Sequence, residues 1–138
     1  MQTHHANFQL NDGGRAAAGF LGKTGDCVTR AIAIATGKPY KEVYEGINTL
    51  AGKATARTGV SSKIVRAYMV SLGWTWVPTM FIGQGCKTHL NREELPPGRL
   101  VVKVSKHVVA VIDGIVHDTN DSTRNGKRCV YGYFVQSN

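Results

Sequence analysis

The sequence predicts an α+β domain, with helices first and an antiparallel sheet after them. Three observations carry that assignment. Between Cys27 and Leu72 apolar residues recur at helical spacing, and from Trp74 onward short β-branched runs take over. The pair Asp113-Gly114 separates two such runs, which is a strong short-range hairpin signal. Helices followed by strands, without strict alternation, belong to α+β architectures. With 138 residues, 42% of them hydrophobic, a single domain spanning 1–138 can bury a core of its own. No internal repeat marks a second domain.

Residues 1–21, rich in Gly, Ala, Asn and His, read as an irregular N-terminal segment with a short extended piece at Phe8 to Leu10. Asp26 reads as the N-cap of a first helix from Cys27 to Ala35, stopped by Gly37. Pro39 then opens a second helix, with Tyr40, Val43, Tyr44 and Ile47 at helical spacing. Ser61 or Ser62 caps a third helix carrying Ile64, Val65, Tyr68, Met69 and Leu72, and Gly73 ends it. Trp74 to Val77 alternates like a strand. Thr88 caps a short helix from Leu90 to Leu95, broken by Pro96-Pro97-Gly98. Strands follow at Leu100 to Val104, His107 to Ile112, Ile115 to Asp118 and Cys129 to Val135.

Composition narrows the function classes. Lys and Arg number 17 against 9 Asp and Glu, a formal net charge of +8, enough to steer towards nucleic acid, anionic lipid or an acidic partner. The basic residues, Arg30 among them, are scattered without a run of five and read as solvated surface. Trp74, Trp76 and the Tyr131-Gly132-Tyr133-Phe134 segment could stack on bases. Aromatics on strands more often form core or groove rim, so nucleic acid is not the favoured partner. No apolar run approaches the ~20 residues of a membrane span, and the N-terminus lacks the positive-then-apolar pattern of a signal peptide. Three widely spaced cysteines, an odd number, argue against a disulfide framework and for a reducing compartment. A cytoplasmic protein without a membrane partner is therefore expected, its oligomeric state left open. Cys86 and His89 form one C-x-x-H pair, but zinc sites favour two close pairs. No metal or cofactor is expected, and Cys86 and Cys129 read as core or surface residues.

Two motifs compete around Gly22 to Gly37. Gly22-Lys23-Thr24 looks like the end of a phosphate-binding loop, but that loop requires a glycine at position 17, which is Ala17, and a preceding strand. Cys27, by contrast, falls at the first position of a helix, where the dipole and free amides stabilise a thiolate and can hold an oxyanion. A two-residue Asp113-Gly114 turn sets Ile112 opposite Ile115, Val109 opposite Asp118 and His107 opposite Asn120. His107, Asp118 and Asn120 then share one face, with Asp118 diagonally within reach of the His107 ring, and His117 points to the other. A histidine oriented by a carboxylate is the general base that a cysteine nucleophile needs. The bland alternative is a structural His–Asp hydrogen bond in a surface hairpin.

Cysteine at a helix start, histidine on a strand, then Asp or Asn on the next strand is the order of the papain-like cysteine peptidase superfamily. The segments GDCVTRAIAIATGKPYKEVY and GRLVVKVSKHVVAVIDGIVHDTND resemble small bacterial and phage proteins of that superfamily, over roughly residues 22 to 135. The resemblance implies a papain-like fold, with Cys27 as nucleophile, His107 as base and Asp118 as its orienter. It implies acyl transfer through a thioester, most often hydrolysis of a peptide or isopeptide bond in a peptide or protein substrate. The glutamine that such enzymes carry just before the cysteine has no counterpart here. Gln9, Asn11, Lys23 and Thr24 are the candidates to replace it beside the Cys27 backbone amide, with Asn120 as a further support. Two alternatives stay open: a catalytically weak papain-like module that binds a protein or nucleic acid through its basic surface, and a cysteine acyltransferase or transglutaminase-like enzyme.

Overall fold

The structure, a computed structural model, describes residues 8–20 and 25–137. Its elements are β1 (Phe8–Leu10), α1 (Cys27–Thr36), α2 (Tyr40–Ala51), α3 (Ser62–Ser71), β2 (Trp74–Pro78), β3 (Arg99–Val104), β4 (His107–Ile112), β5 (Ile115–Asp118) and β6 (Val130–Gln136). The six strands form one sheet in the order β1-β5-β4-β3-β6-β2. α1 is buried at every position from Val28 to Ala35, the polar Thr29 and Arg30 included. α2 and α3 are amphipathic and turn Tyr40, Val43, Ile47, Val65, Tyr68 and Met69 inward. The three helices share a core with one sheet face, which presents Val101, Val108, Ala110 and Phe134. The other face presents Leu100, Val102, Val104, Val109, Val111 and Val116 and is plugged by Leu90 and Leu95. The near-continuous apolar runs of β3 and β4 thus reflect strands covered on both faces.

The β4–β5 hairpin has the register expected of its turn, with Ile112 opposite Ile115 and Val111 opposite Val116. Asp113 and Gly114 both have positive φ, 51° and 80°, the backbone that a type I′ turn demands. Ser105 and Lys106 make the matching two-residue turn between β3 and β4.

Four expectations need correction. The sheet is mixed rather than antiparallel, because β1 runs parallel to β5 with Leu10 opposite Asp118; three residues were too few to show a direction. Residues 90–95 form turns, not a helix. Asn91 accepts a bond from the Glu94 amide and donates to its carboxylate, side-chain bonding that competes with helix, and the buried Leu90 and Leu95 lie five apart, off helical spacing. Cys86 and Cys129 form a disulfide with their Cα atoms 5.9 Å apart, leaving Cys27 as the free thiol. The backbone bridge between His89 and Cys129 brings these distant segments together, which their separation of 43 residues conceals. Asp26, finally, occupies the N-cap position of α1 without capping it through its side chain.

Candidate active site

Cys27, His107 and Asp118 converge on one end of the sheet. His107 Nε2 donates to Asp118 Oδ2 at 2.7 Å. The other ring nitrogen is free to serve the Cys27 thiol, and the two groups lie close enough that each shifts the pKa of the other. His107 opens β4 and Asp118 closes β5, so the pair meets where both strands end. Strict alternation would put both on the face of Val109, away from α1. At the strand ends they instead reach around to the first turn of the helix, where Cys27 and Arg30 sit.

Asp118 is buried and accepts four hydrogen bonds: from His107, from the Thr119 amide at 2.7 Å, from Ser122 Oγ at 3.1 Å and from Arg30 Nη2 at 3.2 Å. Arg30, read from sequence as solvated surface, is also buried, and its other nitrogen, Nη1, donates to Asp26. Asp26 has no exposed surface and takes further bonds from Arg15 Nη1 at 3.2 Å and Tyr40 OH at 2.8 Å. That explains why it does not cap: two guanidinium groups and a phenol already occupy its oxygens. At the far end of α1, Arg99 Nη1 donates to the carbonyls of Ile34 and Ala35, a cation on the negative end of the dipole. α1 is therefore fastened to the sheet at both ends. Arg15, Arg30, Tyr40, Thr119 and Ser122 are site residues that sequence reasoning missed. The one available signal was the Asp26/Arg30 spacing of i,i+4 around Cys27.

These contacts set the electrostatics. Burial alone would raise the Cys27 thiol, but the hydrogen bond and charge of His107, the Val108 amide and the charge of Arg30 together hold it below the ordinary thiol range. The hydrogen bond to Asp118, followed by that to Cys27, pushes His107 up to about 9 against the opposing effect of burial. Burial works to raise Asp118 too, yet His107, the Thr119 amide and Arg30 keep it below the usual carboxylate range. A lowered thiol beside a raised imidazole is the balance that favours a thiolate–imidazolium pair.

The thiol opens into a cavity of about 660 Å³, within the size range of ligand sites. Val60, Val65, Val101, Trp76 and Phe134 make its walls, and Gly25, Cys27 and Val28 bring the start of α1 to its edge. Because Asp26 turns away, the first-turn amides of α1 have no side-chain cap.

The remaining sequence candidates lie elsewhere. Gln9 donates to the Leu10 carbonyl on the edge strand, and Asn11 bonds His117 Nδ1 at 3.2 Å and the Gly13 amide at 2.8 Å. Asn120 is exposed and accepts from Thr119 Oγ1. All three are thus engaged away from Cys27. Lys23 and Thr24, with the rest of the discounted phosphate-loop motif, lie outside the described residues. His117 does point away from His107, as expected, and burial together with the charge of Arg99 lowers its pKa. Among the described residues no group of three or more His, Cys, Asp or Glu is arranged to hold a metal ion, and no helix is long and apolar enough to cross a membrane. Comparison of the chain with protein-family models, with curated proteins and with solved structures finds no match.

Proposed function

We propose that the protein is a papain-like thiol hydrolase that cleaves a peptide or isopeptide bond through a thioester on Cys27. The observation that supports this most is the grouping of Cys27 beside His107, itself bonded to Asp118 at 2.7 Å, at the edge of a ligand-sized cavity. In the first half-reaction Cys27 Sγ attacks the substrate carbonyl carbon, and the carbonyl electron pair becomes an oxyanion. First-turn amides of α1 are positioned to receive that charge, with the helix dipole adding to them. His107 then gives its proton to the leaving nitrogen as the C–N bond breaks, which leaves a thioester and a free amine. In the second half-reaction His107 takes a proton from water, hydroxide adds to the thioester, and the carboxylic acid departs as the C–S bond breaks. Asp118 holds the ring throughout and stabilises its charged form.

The test is the rate of Cys27 alkylation by iodoacetamide as a function of pH, with Cys27→Ala as the blank. The expected midpoint lies below an ordinary thiol's ~8.5 and rises in His107→Ala, where burial acts without the imidazolium. An ordinary midpoint in the unmodified protein would sink the ion pair and the hydrolase reading with it.

A further inference from the structure

The rim of the cavity carries a charge pattern that a general peptide-cleaving site does not need. Lys63 and Arg66 line it from α3, three residues apart and so on one side of that helix. Lys103, from β3, and Lys106, in the turn just before His107, line it as well. No Asp or Glu is among the described residues that line the cavity, and Lys63, Lys103 and Lys106 form no ion pair among the described residues. Lys63, Arg66 and Lys106 are exposed. Four cations around an apolar, partly enclosed space create a focused positive field that holds and steers anions.

We propose that this cavity selects a peptide in which an apolar residue fills the Val60, Val65, Val101, Trp76 and Phe134 walls while neighbouring acidic side chains engage Lys63, Arg66, Lys103 and Lys106. The inference rests on the thiol-hydrolase reading for its site and adds the substrate class. An acidic peptide fits better than a nucleic acid, whose successive bases need several free aromatic faces, and only Tyr131 of the lining aromatics is exposed and unstacked among the described residues. Trp76 already packs against Phe134, with ring centroids 4.9 Å apart, and carries the Arg66 guanidinium 5.7 Å from its centre.

The test uses two alkylating agents of similar size, anionic iodoacetate and neutral iodoacetamide, against Cys27 in the full chain. The ratio of their rates reads the field at the thiol independently of any hydrolysis, and it corrects for changes in thiol reactivity. In Lys63→Gln/Lys106→Gln the ratio falls roughly tenfold relative to the unaltered protein, and added salt lowers it in the unaltered protein but little in the variant. An apolar-residue peptide amide flanked by Glu is then cleaved faster than its Gln counterpart, and the Lys counterpart slowest. An unchanged ratio in the variant, or equal cleavage of the Glu and Gln peptides, overturns the proposal. So does a single-stranded RNA oligonucleotide that protects Cys27 from alkylation when the Glu peptide does not. An ordinary iodoacetamide pH profile would instead overturn the hydrolase reading, and the ratio would still report whether the cavity favours anions.

Discussion

Replacing Asp118 by Asn keeps the side-chain shape and removes the charge that faces His107. The ring now rises from its ordinary 6.5 to about 9, chiefly through the Asp118 hydrogen bond. At about 1.4 kcal/mol per pH unit that rise corresponds to about 3.4 kcal/mol. His107 retains 21% side-chain exposure, and screening by that water reduces the effect to about 2 kcal/mol. The sign follows from linkage: a folded-state pKa raised above the unfolded value stabilises fully below about pH 6.5, and that stabilisation disappears as pH rises through about 9. The Asp118→Asn protein is therefore less stable at pH 6, and its deficit shrinks by at most about 2 kcal/mol between pH 6 and pH 10, since Cys27 supplies part of the rise. What remains at high pH is the lost partner of Arg30. Urea unfolding at the two pH values measures the deficit, and an NMR titration of the His107 ring follows its pKa directly. In Cys27→Ala the ring stays raised, because Asp118 is the larger cause. A deficit that does not change with pH, or a His107 that still titrates near 9 opposite Asn, would refute the reasoning.

Asp26→Asn removes the fully buried acceptor shared by Arg15, Arg30 and Tyr40; a loss of about 3 kcal/mol is expected in urea unfolding, as for breaking a buried pair. Tyr40→Phe deletes only the 2.8 Å bond to Asp26 and lowers stability by about 1–2 kcal/mol in the same assay. Reducing the Cys86–Cys129 bridge opens a loop of 43 residues, which lowers stability by about 4 kcal/mol and is read as a drop in Tm with added phosphine. Under the proposed hydrolase mechanism, cleavage of a peptide is expected to follow a bell in pH. Its rising limb lies below the ordinary thiol range, where Cys27 deprotonates, and its falling limb lies near 9, where His107 loses its proton.

The residues with local signals were the ones legible in the sequence. Ser61 caps α3 and accepts from the Ile64 amide, Gly37 ends α1 in the left-handed conformation, and the Asp113-Gly114 turn fixes the hairpin register. That register was enough to bring His107 and Asp118 together, since a two-residue turn leaves one pairing. What the sequence hid depends on contacts between distant segments. Nothing local to Cys86 and Cys129 announces their bridge, and nothing in Phe8 to Leu10 announces a parallel partner in β5. Arg30 was misread for the same reason: its burial follows from Asp26 and Asp118 lying on either side of it. The alternation rule also stops at strand ends, so it paired His107 with Asp118 correctly and could not bring either to Cys27.

Asp26 would be a poor neighbour for a nucleophile if it behaved as helix caps usually do. A carboxylate bonded to the first-turn amides would take the donors that an oxyanion needs and would place a negative charge beside the thiol, raising its pKa. Arg30, Arg15 and Tyr40 instead hold the carboxylate inward, fully buried, with its charge matched by guanidinium. Arg30 then does a second thing, because its other nitrogen reaches Asp118 and ties the helix that carries Cys27 to the strand that orients His107. One side chain thus silences the acid next to the thiol, lowers the thiol with its own charge and sets the distance between the two halves of the site. Lysine could not replace it: a single ammonium lacks the planar fork that spans two carboxylates on opposite sides. The Asp26-Cys27 pair acquires its chemistry from the arginine one turn later.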